Sequence, residues 1–384
     1  MYAAIMSLGP ASQTFGGGRA VGSLPYAVFM VGFGVGGVLM GRVADRVGVI
    51  WPALIGSLCV PAGLFAAAHA QSLWQFVVAL GVLCGLLGAS FSFAPLVADI
   101  SHWFTARRGL AVGIVASGTY VAGTVWPLVL QRLFDEHGWR SAFVQLAALT
   151  LCAMVPLTLV LVRRPSATAR GGEPGTEAPS SRSVGFSPLT LQCVICCAGV
   201  GCCVAMSMPQ VHIVPLVTDL GHAAARGAEM LSLMLGFGIV SRMASGWISD
   251  HIGGLRTLLL GSGLQALVLL AFVGADTLPM LYAISIAFGL SQGGIVPSYA
   301  IIIRRFFPAG EAGWRIGAAL LFTIAGMALG AWMAGVLYDL TGSYTLSFVN
   351  AIAFNLVNMA LAVMLLMRAR AREVPGEAAF ASSR

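Results

Sequence analysis

Gly41-Arg42-Val43-Ala44-Asp45-Arg46-Val47-Gly48 lies between two apolar runs, Val21 to Met40 and Val49 to Ala68. Each run has 20 residues, enough at ~1.5 Å per residue to cross a ~30 Å hydrocarbon core. The eight residues therefore read as a tight turn between two membrane-spanning helices. Glycine opens and closes the turn, where a backbone must bend sharply or two helices must touch. Between the glycines stand two arginines and a carboxylate, charges that a short membrane turn must give to water or to partners.

The stretch returns as Gly246-Trp247-Ile248-Ser249-Asp250-His251-Ile252-Gly253, with Gly, Asp and Gly in the same places at an offset of 205. Gly138 and Phe143 match Gly342 and Phe348 at offsets of 204 and 205. A looser third pair sets Trp103-Phe104 before Arg107-Arg108-Gly109 against Phe306-Phe307 before Gly313-Trp314-Arg315. Three turns repeating near one offset indicate a duplicated helical unit, one copy in each half of the chain.

Of the 384 residues, 58% are hydrophobic and only 9% charged, against ~25% charged in soluble domains. Lipid is therefore the main solvent, and the 48 glycines suit helices packed closely within it. All 21 basic residues are arginine. They sit at membrane boundaries, so the net charge of +7 does not indicate nucleic acid. Sixteen arginines fall in the loops that hold Arg42, Arg46, the Arg163–Ser187 linker and the C-terminal tail, four in the opposite loops, and Arg242 alone inside a helix. By the positive-inside rule the linker and C-terminus are cytoplasmic.

Taken together these features resemble the major facilitator superfamily (MFS). The first stretch is similar to the signature between that family's second and third helices, and the second to its echo between helices eight and nine. Gly236 to Gly254, Trp103 to Gly113 and Gly138 to Phe143 are most similar to the monocarboxylate and oxalate/formate porter branch. The resemblance implies an all-α membrane protein of two six-helix pseudo-symmetric halves. Residues 1–162 would form the N-terminal half, 163–188 a cytoplasmic linker, 189–367 the C-terminal half and 368–384 a cytoplasmic tail.

Eleven full spans are predicted: 21–40, 49–68, 73–100, 110–130, 141–162, 189–216, 230–248, 257–275, 278–303, 316–337 and 346–367. The first 15 residues are short for a span and are interrupted by Pro10, Ser12, Gln13 and Thr14. They resemble the outer end of the family's first helix. The expectation is a start internal to that helix, or a form lacking most of it. No positive region precedes an apolar core, so they do not read as a signal peptide.

Arg242 stands eight residues before Asp250, ~12 Å up its helix. A charge at that depth costs at least ~2.5–3.5 kcal/mol and calls for a watery cavity and a partner. Its fork of donors matches a carboxylate, so it is read as an anion-binding residue, against a structural pair or a snorkelling side chain. In monocarboxylate carriers an aspartate taking part in proton coupling stands one turn before this arginine; here the residue is Gly238. Oxalate carriers add a lysine in helix eleven; Ile316–Leu337 contains no cation.

Gln210 and His212 follow Pro209, which frees backbone groups that at depth line cavities. His212 reads either as a proton acceptor or as a boundary histidine without function. Tyr120, Thr124, Trp126 and Gln292 either line the cavity or bond neighbouring helices. The resemblance makes Gly41, Arg42, Asp45, Arg46, Gly48, Gly246 and Asp250 parts of a gate; a bare topological turn is the other reading.

Cys193, Cys196, Cys197, Cys202 and Cys203 cluster in one apolar helix and read as small interface fillers, with no histidine or carboxylate completing a metal site. No phosphate loop ends in Gly-Lys-Ser/Thr, so no ATP-driven pump or cofactor is implied. The expectation is a secondary transporter, not an enzyme, in the cytoplasmic membrane. It would carry a small organic anion such as a monocarboxylate, with H+ as driving ion, by alternating access. The alternatives are an exporter of amphipathic drugs and a receptor or sensor that uses the fold without transport.

Overall fold

The computed structural model describes residues 1–92, 96, 108–161 and 185–381. The Trp103–Arg107 part of the repeat and most of the 163–188 linker lie outside them.

The described chain is helical throughout. α1 (Tyr2–Met6), α2 (Leu8–Phe15), α3 (Arg19–Val47) and α4 (Ile50–Ala68) come first. α5 (Leu73–Val78) continues through a π-helical stretch, Ala79–Gly88, and a 3-10 turn, Ala89–Ser92. α6 (Arg108–Val160) is bent at Gly138, whose φ of 75° and ψ of 156° are not helical. Then follow α7 (Pro188–Asp219), α8 (Ala224–Ile252), α9 (Gly254–Val273), α10 (Leu278–Gln292), α11 (Ile295–Phe306), α12 (Ala309–Thr341) and α13 (Thr345–Ala381).

Ten stretches among the described residues are long and apolar enough to span a membrane. One of them, Ser117–Val160, has 44 residues, ~66 Å of helix, long enough for two crossings, and it folds at Gly138. The two spans expected at 110–130 and 141–162 are this one bent helix. The repeat is visible in the backbone. Gly48 (φ 96°, ψ 159°) and Gly253 (φ 80°, ψ 161°) take the same glycine-only conformation. Each closes its helix with one backbone bond of 2.9 Å, Gly48 N–H to Ala44 O and Gly253 N–H to Ser249 O. Gly342, the partner of Gly138, is also at positive φ.

The signature is not a loop, however. Residues Gly41 to Val47 complete α3 and residues Gly246 to Ile252 complete α8; only the closing glycines turn. The opening glycines neither bend the chain nor admit a close neighbour. A Cβ on Gly41 or Gly246 would meet no described atom within 4 Å. Arg46 in the last turn of α3 complements the negative helix end.

The first 15 residues form two short helices instead of a span. Tyr2 to Met6 are buried, with α1 packed on α6 and α3. Elsewhere α3 packs on the π-helical stretch and on α12, α6 on α4 and α8, α7 on α12 and α13, and α10 on α8. Bulky apolar side chains such as Trp74, Leu157 and Leu267 are more than 60% exposed, the surface a lipid-solvated bundle presents.

Candidate functional site

Arg242 lies on α8 where α10 breaks from α11. Gly293 and Gly294 separate those two helices, and bare glycine lets the break approach α8 closely: a Cβ on Gly293 would collide with Arg242 N. Ser241 fastens the contact. Its Oγ donates to Leu290 O (2.6 Å) and accepts from Gly293 N–H (3.1 Å), satisfying backbone groups that the break frees within the bilayer.

Arg242 is half-buried, with its guanidinium carbon 4.5 Å from the centre of the Tyr120 ring on α6. A cation over an aromatic face gains ~0.5–2 kcal/mol as it loses water, offsetting part of the cost of burying the charge. Gly238, one turn before Arg242, makes room for that ring. A Cβ there would stand 2.7 Å from Tyr120 Cδ1 and 3.7 Å from Gln292 Nε2. The position that holds an acid in the resembling carriers is here filled by an aromatic face.

Gln292, fully buried at the end of α10, accepts from Gln210 Nε2 (2.5 Å) and donates to Met234 O (3.4 Å). So Arg242, Tyr120, Gln292 and Gln210 form one constellation drawn from α8, α6, α10 and α7. Thr124 stands beside it, donating to Tyr120 O at 2.9 Å. The arrangement sets one cation, with its planar fork of donors, beside two buried neutral amides that bond each other.

Two further candidate residues lie outside this constellation. His212 is two residues past Gln210 and so turned to the far side of α7. Its Nε2 donates to Ala331 O (2.8 Å) and its Nδ1 accepts from Tyr344 Oη (3.1 Å). Both ring nitrogens are engaged within the protein. Trp126 lines an apolar cavity of about 340 Å³ with Tyr2, Phe29, Leu64 and Met154. Tyr2 Oη reaches from that cavity to Thr119 O (2.8 Å) on α6.

Of the gate residues, Arg42, Arg46 and Asp250 are exposed, and no ion pair joins them to another described side chain. The side chain of Asp45 lies outside the described residues. The five cysteines spread round α7: Cys196, Cys202 and Cys203 are buried, Cys193 and Cys197 exposed.

A cluster missed in the sequence closes the opposite end of the bundle. The Arg19 guanidinium, at the start of α3, pairs with Asp219 at 2.6 Å, where α7 ends. Asp339 of α12 accepts from Arg19 N–H (2.7 Å) and Ala20 N–H (2.9 Å), capping α3 from another helix. The Arg19 guanidinium also lies over Tyr338, whose ring packs on Tyr344 at 4.4 Å. Gly335 completes the junction, for a Cβ there would stand 2.7 Å from Ala20 N. A charge pair and a cross-helix cap leave no local pattern, because their partners are 200 and 320 residues apart.

Known proteins share this architecture. The chain is 29% identical to "Monocarboxylate transporter 13" of Bos taurus over 352 residues, 90% of this chain and 79% of that protein. With "Monocarboxylate transporter 11" of Homo sapiens it shares 28% over 342 residues, 85% and 70% of the two chains. With "Agnestins efflux protein AgnL12" of Paecilomyces divaricatus it shares 25% over 292 residues, 75% and 65%. The crystal structure of a mutant peptide transporter POT with alafosfalin superposes with a TM-score of 0.69 at 15% identity, covering 95% of this chain and 91% of that one, a likeness of fold. The family model described as Major Facilitator Superfamily matches residues 1–276, and with the duplicated bundle described above this places the chain in that superfamily.

Proposed function

We propose that this protein is a secondary transporter of a small organic anion, a monocarboxylate, working by alternating access. The observation that carries the proposal is the forked guanidinium of Arg242, held within the bilayer over Tyr120 and beside Gln292. The names of its mammalian relatives support the same substrate class. In this reading residues 1–162 and 189–367 are the two rocking halves and 163–188 the tether. The arginine distribution sets the linker, the 368–384 tail and the Gly48 end of the bundle toward the cytoplasm.

The Arg19–Asp219–Asp339 junction is then the outer closure. Gly41 and Gly246 lie at the other end of the bundle, the inner side in this reading. Breaking one set of contacts while forming another is how rigid halves exchange access. H+ is the driving ion by resemblance; Gly238 replaces the acid one turn from Arg242, so the reading assigns no residue to the proton.

Counterflow in proteoliposomes tests the proposal. Labelled monocarboxylate should exchange in wild type and be lost in Arg242→Ala, with wild-type folding by size exclusion. Equal exchange in both proteins, or none in wild type, overturns it. A second reading, export of an amphipathic compound, is favoured by the 340 Å³ apolar cavity around Trp126 and by the efflux relative. It would show as movement of an amphipathic dye that Arg242→Ala leaves intact.

A further inference from the structure

α9 and α13 meet in the core of the bundle through polar groups. Ser262 and Gln265 of α9, Asn355 and Asn358 of α13 and Tyr299 of α11 are all at most 1% exposed. Ser262 stands eight residues past the start of α9, ~12 Å along the helix. Lipid at that depth offers no hydrogen bond, so each polar atom must be met from inside the protein.

Most of them are. Asn358 Nδ2 donates to Ser262 Oγ (2.8 Å), and Asn358 Oδ1 accepts from Tyr299 Oη (2.9 Å). Asn355, one turn earlier on the same face of α13, donates from Nδ2 to Ser262 O (2.8 Å). A carbonyl oxygen only accepts, so this bond fixes the Asn355 amide with its NH2 toward α9 and its oxygen turned away. Asn355 Oδ1 then has no hydrogen-bond partner among the described residues, and neither Oε1 nor Nε2 of Gln265 has one.

Gln265 follows Ser262 by three residues, so the two share a face of α9. A long side chain in a helix leans back over the preceding turn. That carries the Gln265 amide toward the level of Ser262, where Asn355 is docked. The two amides approach each other without bonding, and the groups left over are complementary: two acceptors and one NH2.

An amide stranded in an apolar core is unfavourable, and buried polar atoms nearly always find a partner. Water suits what remains. It both donates and accepts, and it settles where two to four polar groups surround it. A metal ion does not suit it. α9 contains no acid, and the first acid of α13, Glu373, follows the membrane span of that helix, so neither helix brings a charge to balance a cation.

We infer that a water molecule is bound between α9 and α13, bridging the amides of Gln265 and Asn355. The site is separate from Arg242 and does not depend on what that residue carries.

A structure of the full chain in lipid nanodiscs, at a resolution that shows waters, tests the inference. The expected result is a density peak about 2.7–3.2 Å from polar atoms of both amides. A direct bond between the amides, no peak between them, or a peak at the ~2.0–2.6 Å of a metal ion overturns it. Thermal midpoints give an independent reading. Methionine is close to glutamine in length but makes no such bonds. If water satisfies the Gln265 amide, Gln265→Met should lower the midpoint by about 2–4 °C. If the amide is stranded, the same change relieves it, and the higher midpoint overturns the inference. In an Asn355→Leu background Gln265→Met should cost less, because the bridge has already lost one end. Equal costs in the two backgrounds overturn the bridge.

Discussion

Arg19 and Asp219 stand 200 residues apart in the chain and meet at 2.6 Å, one at the start of α3 and the other at the end of α7. Their side chains are 19% and 30% exposed, so the pair alone is worth ~0.2–1 kcal/mol. Its weight comes from Asp339, which holds the first N–H groups of α3 from a third helix.

Asp339→Ala should free that helix end at a cost of ~0.5–2 kcal/mol. The amides of Arg19 and Ala20 should then exchange hydrogen faster, while those of the same helix near Gly34 stay as they were. Exchange mass spectrometry reads this directly. Unchanged protection at Arg19 and Ala20 would show that the cap does not hold the junction closed.

Gly238 and Tyr120 compete for one space. Gly238→Asp would drive a carboxylate into the ring that carries the Arg242 guanidinium. Overpacking of this kind costs ~1–3 kcal/mol. The thermal midpoint of Gly238→Asp should fall, and Tyr120→Ala in the same chain should recover part of the loss by giving the carboxylate room beside Arg242. If the two losses simply add, the ring and residue 238 do not share the space.

How far the site was legible follows from such pairs. Arg242 was visible because a charge in an apolar run violates the pattern around it. The repeat was visible because glycine at positive φ leaves the same letter at Gly48 and Gly253. Tyr120 was visible only as an aromatic in a span; that it lies under Arg242 depends on how α6 packs on α8. His212 was open to two readings because a proline nearby suggests a cavity, while the partners that engage it, Tyr344 and Ala331, are over 100 residues away. The Arg19 junction left no sign at all, since an arginine at a span boundary is ordinary.

Gln210 and Gln292 are each nearly free of solvent and satisfy one another. Gln292→Leu strands the Gln210 amide, at ~1–3 kcal/mol. Gln210→Leu with Gln292→Leu should cost less than the sum of the singles, because no polar group is then left alone. A double-mutant cycle on thermal or denaturant midpoints measures the coupling. Strict additivity would mean the two amides do not depend on each other.

His212 should behave as a structural residue. His212→Ala leaves the Tyr344 hydroxyl and Ala331 carbonyl without their partner and should lower stability by ~1–3 kcal/mol. Tyr344→Phe removes one of the same bonds and should cost less, ~0.5–1.5 kcal/mol. Neither change should alter which substrate exchanges in proteoliposomes. A His212 variant that folds normally yet loses all dependence of exchange on the proton gradient would instead give this histidine the proton.

The two glycines of each signature should part company under substitution. Gly48 and Gly253 sit at φ 96° and 80° with extended ψ, a region closed to side chains, so alanine at either should cost ~1–3 kcal/mol. The costs should match, because the two backbones match. Gly41 and Gly246 lie inside helices with open space beside them, and alanine there should gain ~0.5–1 kcal/mol from helix propensity. Exchange in proteoliposomes should nonetheless fall in Gly41→Ala if the helix ends that stand apart must meet when the inner side shuts. Thermal shift and counterflow on the four variants separate the roles. A stabilised Gly41→Ala that exchanges at the wild-type rate would remove this glycine from the inner closure, and a loss of stability would mean that the open space beside it is filled.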